Sequence, residues 1–282
     1  IKAMNSGFLV APYLLGGPDP GFRGLSYGIH SLLSSNKPVK IYGTDFEDCY
    51  RGIYIAQGAA VEISSNHFYL GNLPDPSLSD RQFGTVFFAS TKFVYQGNQF
   101  FGAAGNVEKT VGTCINASGD LNNRVFHNFY DALAIGNVAN GENAGVTNGV
   151  MRGLQYHCND NLNNSDFDFT LPNSGDVIRP LQGEVIGSSK LATGNKFSHV
   201  APFSESDFSN HGGQSTDYYH INSNPHIPDS EREVPLYYFG IAPVWQQVNP
   251  NPDCDLSPEE PLPPLNGIAL QEEKSRYYAV KA

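Results

Sequence analysis

Charge is scarce in this chain: of 282 residues only 16% are Asp, Glu, Lys or Arg, and acidic residues outnumber basic ones by 28 to 17. The formal net charge of −11 repels phosphate backbones and anionic membranes, which argues against nucleic acid as a partner. Helix formers are scarce too, because glycine or asparagine interrupts almost every stretch of Ala, Leu, Glu or Lys. No window reaches the apolar length of a membrane span, and Ile1 does not open a charged, then apolar, cleavable leader. Cysteine is limited to Cys49, Cys114, Cys158 and Cys254, without CxxC spacing, which removes the usual zinc knuckle. What is plentiful is Gly, Asn, Ser and Tyr, the balance of an extracellular β-protein.

A polar/aromatic step recurs: Thr44-Asp45-Phe46, Asn66-His67-Phe68, Asn98-Gln99-Phe100, Asn128-Phe129 and Asn195-Lys196-Phe197. Its markers are separated by 22, 32 and 29 residues from Phe46 through Phe68 and Phe100 to Phe129. A period of this size means stacked units that cannot close a core alone, and the shortest interval suits three short strands with their turns. Between the steps lie β-rich phrases that start on glycine, at Gly28, Gly52, Gly84, Gly112 and Gly153. Alternation in Val61-Glu62-Ile63-Ser64 and Phe93-Val94-Tyr95-Gln96 puts one face to a core and one to water. The expectation is an all-β fold, a right-handed parallel β-helix (solenoid) with long loops and a loop-rich C-terminal extension. The alternative is a β-sandwich or jelly roll. Phe46, Phe68, Phe100, Phe129 and Phe197 should be the core aromatics, each covering the last. The asparagine before each should take a left-handed corner and bond to the next unit. Loops are expected at 71–80, 117–123 and 137–148.

The β-helix is assigned to 1–200, a loop-rich extension packed on it to 201–248, and a proline-rich linker with the start of a helix to 249–282. Strands are expected at 234–240 and 244–248, and the helix former at 269–278. The abrupt start at Ile1 reads as a piece of a longer chain. Cys49 and Cys114, in β-rich phrases, read as small buried residues. Cys158 and Cys254, each beside Asn and Asp, are the candidates for a disulfide tying the tail to the solenoid in an oxidising compartment.

Asp45, Glu47 and Asp48 are the best carboxylate group for glycoside hydrolysis, yet a strand puts Asp45 and Glu47 on one face and Asp48 on the other, as at a solvated corner. Arg51, Arg124 and Arg152 fall near turns as capping or pairing residues. Asp160, Asp166 and Asp168 among Asn159, Asn161, Asn163 and Asn164 offer calcium oxygen ligands, but in neither EF-hand nor nonapeptide spacing. The eight histidines form no HxH or HExxH pattern, and no nucleophile elbow is present. The reading is no catalytic residue and no cofactor, with calcium as the one metal considered.

The stretch Gly153-Leu154-Gln155-Tyr156-His157-Cys158-Asn159, with Asp166-Phe167-Asp168-Phe169, Leu181-Gln182-Gly183 and Gly194-Asn195-Lys196-Phe197, resembles a segment of large Bacteroidetes surface proteins built of right-handed β-helix repeats. The likeness runs from about Tyr27 to His220. It implies export by the type IX secretion system, a location outside the cell or on the outer membrane, and a scaffold or adhesin that meets protein partners of an export or surface complex, or surface glycans. It carries no catalytic residues. The rival expectation is a polysaccharide lyase or glycoside hydrolase on the same fold.

Overall fold

A computed structural model describes residues 1–12, 21–34, 37–73, 81–103, 107–172, 177–186, 189–199, 207–211, 216–221, 225–228 and 248–255. Among these the fold is all-β, with two short 3-10 turns and no α-helix. Three large sheets are parallel throughout. The first holds eight strands, Lys2–Met4, Tyr27–Leu32, Arg51–Ala56, Gln82–Phe88, Thr110–Asn116, Ile135–Asn140, Phe167–Leu171 and Phe208–Asn210. The second holds six, Phe8–Val10, Val39–Tyr42, Val61–Ser64, Val94–Gln96, Arg124–Phe126 and Gln155–His157. The third also holds six, Gly21–Arg23, Asp45–Glu47, His67–Leu70, Gln99–Gly102, Phe129–Asp131 and Asp160–Leu162. The chain visits first, second and third sheet in turn and then returns to the first, so each strand pairs with its counterpart from the neighbouring pass.

In-register parallel pairing turns the repeated sequence step into vertical columns. One is aromatic: Phe22, Phe46, Phe68, Phe100 and Tyr130 stack with ring centroids 5.2, 4.9, 4.5 and 4.8 Å apart. Each such pair is worth about 0.5–1.5 kcal/mol beyond its burial. The expectation for Phe129 is corrected here. Gln99 pairs with Phe129 and Phe100 with Tyr130, so Phe129 faces outward and Tyr130 continues the buried column. Its hydroxyl is satisfied inside by Thr113 Oγ1 at 3.0 Å, which is why a tyrosine is tolerated where phenylalanine stands in earlier passes. Phe197 is buried, but meets Phe169 edge-on at 5.8 Å rather than extending the flat stack.

A second column is asparagine. The Nδ2 of Asn66 donates to Asn98 Oδ1, Asn98 to Asn128, Asn128 to Asn159 and Asn159 to Asn195, at 2.9–3.1 Å. Each Oδ1 also takes the backbone N–H of the preceding asparagine, and each Nδ2 reaches back to a second-sheet carbonyl. The expected contact with the next unit is therefore present. The left-handed corner is displaced by one residue, however: positive φ belongs to Gly43, Ser65, Gly97, His127, Cys158 and Gly194, each immediately before the column. The asparagines themselves are not left-handed, and their amides lie along the stack.

The glycines of the β-rich phrases have a use other than turning. Gly28, Gly52, Gly84 and Gly112 lie inside first-sheet strands with the ring column against their backbone; a Cβ on Gly52 would come 2.8 Å from Phe68 Cε1 and 2.6 Å from Gly84 O. Gly153 is not in this column but closes an antiparallel hairpin, Ala144–Thr147 with Val150–Gly153. That hairpin and the strand Ile135–Asn140 replace the loop expected at 137–148, and Asn137 is buried in register with Thr113. Stacking also continues past residue 200, since Phe208–Asn210 pairs with Phe169–Leu171. Residues 74–80 of the first expected loop, the stretch 234–247 and the helix former at 269–278 lie outside the described residues.

Candidate functional site

The columns break at one end, and polar groups enter there. In the sixth pass the aromatic position is Asn161, and a Cβ on Gly136 would meet Asn161 Oδ1 at 2.7 Å where earlier glycines meet a ring. In the next two passes the glycine position itself becomes Asp168 and then Asp207, both fully buried. Like charges in register are unfavourable, and burial raises the cost. The structure answers with donors. Asn164 Nδ2, Ser198 Oγ and the Ser198 backbone N–H each donate to Asp168 at 2.7 Å. His199 gives its backbone N–H to Asp207 Oδ1 at 3.1 Å, and its Nδ1 lies 2.7 Å from the same oxygen. Burial, followed by the Asp207 charge, pushes the Asp168 carboxyl up to about 7. Asp168, His199 and Asp207 each offer one ligand atom, all within 4.8 Å of one another, a mixed N/O set of the kind divalent cations take. The same oxygens already accept hydrogen bonds, so the group is a closed polar network as it stands.

Of the residues considered for calcium, Asp168 and Asn164 belong to this network, whereas the other two aspartates do not. Asp160 pairs with Lys196 at 2.9 Å, Asp166 lies near the Ser165 hydroxyl at the surface, and only Asp168 turns inward. Asp45 and Glu47 point outward on one face, pairing with His67 at 3.0 Å and with Arg23. Asp48 follows them at a left-handed corner. The three carboxylates thus make a surface row rather than an acid/base pair around a shared cleft. Arg51 lies against Tyr27, Tyr50 and Tyr54, 5.4–5.6 Å from the ring centroids. Tyr42 and Tyr95 are buried, whereas Tyr69 is 42% exposed.

Cys158 and Cys254 are joined, with Cα atoms 5.2 Å apart. Cys158 occupies the left-handed corner beside the asparagine column, and Gly194, at the same corner one pass on, leaves the space its partner sulfur fills. The segment 248–255 is thereby held along this corner, where His127 Nε2 also meets the Asp253 carbonyl at 3.0 Å. Cys49 and Cys114 remain free, and Cys49 is buried.

A second polar concavity, of about 450 Å³, opens outside the last second-sheet strands and is lined by Asn122, Asn123, Arg124, Gln155, Arg179 and Glu184. Arg124 is paired with Glu184 at 2.6 Å. Arg179 donates from Nη1 to the neutral Gln155 Oε1 at 3.0 Å, while its Nε and the Asn123 Oδ1 are buried without a partner. Burial, then Arg124 and Arg179, holds His157 neutral down to about 3.

Sequence reasoning did not find Arg179, Glu184, or the meeting of His199 with Asp207. One signal was available: Asp168-Phe169 and Asp207-Phe208 stand where Gly28-Ile29 and Gly52-Ile53 stand earlier. Compared with family models, curated proteins and solved structures, the chain matches none of them. No helix among the described residues is long and apolar enough to cross a membrane.

Proposed function

We propose that this chain is a non-catalytic scaffold or adhesin segment of a secreted or cell-surface protein, its three sheets wound as a right-handed parallel β-helix. The observation that carries the reading is the asparagine column. From Asn66 to Asn195 the interior polar groups are spent on holding one pass to the next, the investment of a rigid support. The right hand follows from the strong general bias of parallel crossovers. The disulfide favours an oxidising compartment, in keeping with an exported Bacteroidetes surface protein handled by the type IX secretion system, with surface glycans or proteins of the export complex as partners. Incubation with a panel of polysaccharides tests the reading. A scaffold releases neither reducing ends nor unsaturated products; release of either, lost in Asp168→Asn, would establish the carbohydrate-active alternative.

A further inference from the structure

We propose that the concavity between Arg124 and Arg179 binds a uronic-acid residue of an acidic polysaccharide. The proposal rests on the reading of the chain as a surface protein that contacts glycans, and it names which glycans and where.

Arg179 sets the charge requirement. Its neighbour Arg124 is neutralised by Glu184 at 2.6 Å and lies 3.7 Å from Asp253. Arg179 has no ion pair within 4 Å among the described residues, the Glu184 charge reaching it only from farther off; among them its side chain hydrogen-bonds only the neutral amide of Gln155, and its Nε–H is buried with nothing to donate to. A buried guanidinium donor left open in this way fits a carboxylate, which takes two parallel N–H bonds.

Asn123 sets the second requirement. Its side chain is 1% exposed, its Nδ2 donates to Ser118 O at 3.3 Å, and its Oδ1 has no partner. The missing complement is a donor. The ligand therefore carries both an anion and a hydroxyl, as the C6 carboxylate and the C4 hydroxyl do in a uronic acid at the non-reducing end of a chain. Neutral sugars lack the anion, and sulfate lacks the donor. A volume of about 450 Å³ lies in the range of small-ligand sites.

The position is held firmly. Gln155 Nε2 donates to Leu181 O and Gly183 O at 3.3 and 3.2 Å, and Gln182 Nε2 donates to Arg179 O at 2.8 Å. The 179–184 segment is thus pinned to the end of the second sheet, and the guanidinium is fixed before a ligand arrives. In a chain of net charge −11 the long-range field repels an anion, so the ligand has to be held by the Arg179 contact itself.

Calorimetric titration of the whole chain with trigalacturonate, galactotriose and inorganic sulfate tests the site. Trigalacturonate should bind and the other two should not. Arg179→Gln should weaken binding about tenfold or more, the loss of one charge-assisted contact. Glu184→Gln, which removes the carboxylate already on Arg124, should tighten it. Circular dichroism melts of both variants separate misfolding from lost contacts, and the opposite sign expected for Glu184→Gln keeps the test decisive if Arg179→Gln fails to fold. Equal binding of galactotriose or sulfate, no binding of trigalacturonate, or weakening by Glu184→Gln would overturn the proposal. A failed titration leaves the scaffold reading intact, whereas product release from the polysaccharide panel would remove that reading and leave the site.

Discussion

The stack from Tyr27 to Asn140 and the end from Gln155 to Asp255 use one backbone plan with different contents. In the first, ring and glycine columns run unbroken, and outward charges pair with neighbours such as Lys40 with Glu62 at 2.8 Å; the asparagine column alone crosses into the second. In the second, Asn161 replaces a ring, Asp168 and Asp207 replace glycine, a disulfide straps a distant segment to the corner, and a guanidinium is left open. Repetition makes a position structural; its interruption marks where a side chain has been placed for another reason.

Removing a column member should hurt the regular side most. Asn98→Ala deletes an acceptor for two N–H groups of Asn66 and a donor to Ile63 O and Asn128 Oδ1. At about 1–3 kcal/mol per orphaned buried group, chemical denaturation should register a loss of about 4 kcal/mol or more. Replacing Cys158 and Cys254 together by serine should cost about 3 kcal/mol. Because stacked passes are coupled mainly to neighbours, hydrogen exchange should place this loss at 190–255 and spare 27–140. Gly52→Ala, which forces a Cβ against Phe68 and Gly84 O, should cost about 2 kcal/mol in the same denaturation assay.

The smallest effect sharpens the other side. Asp168 has a folded pKa raised from 3.8 to about 7, so the folded state binds more protons than the unfolded one between these values, and stability falls as pH rises through that window. Asp168→Asn should remove this decline: its melting temperature relative to the parent should be higher at pH 8 than at pH 5. Some loss at both values is expected, since an amide cannot accept from Ser198 N–H and from Asn164 with Ser198 Oγ at once. An unchanged pH slope would mean that Asp168 does not hold the proton.

Much of the stack was legible because period and chemistry coincide. Phe68 and Phe100 announce themselves by the asparagine two places before, and Phe46 by Thr44 at the same place. The slip at Phe129 has a physical origin: with two adjacent aromatics, Phe129 and Tyr130, only the pairing with Gln99 and Phe100 decides which points in. The left-handed corner was misplaced by one residue because asparagine tolerates that conformation, whereas here its amide was worth more in the ladder. At the irregular end, Arg179 and Glu184 carry no periodic signal, and His199 meets Asp207 only through the return of the chain to the first sheet. The cysteines at 158 and 254 were marked by loop-like neighbours, but their distance of 96 residues hides their contact from any local pattern.

The most direct test of the column account is amide hydrogen exchange in Asn98→Ala. The Asn66 N–H donates to Asn98 Oδ1, whereas the N–H of residue 98 donates to Asn128 Oδ1. The account predicts that protection falls at Asn66 well below its level in the parent while residue 98 keeps most of its own. Equal protection at Asn66 in the two proteins would contradict it.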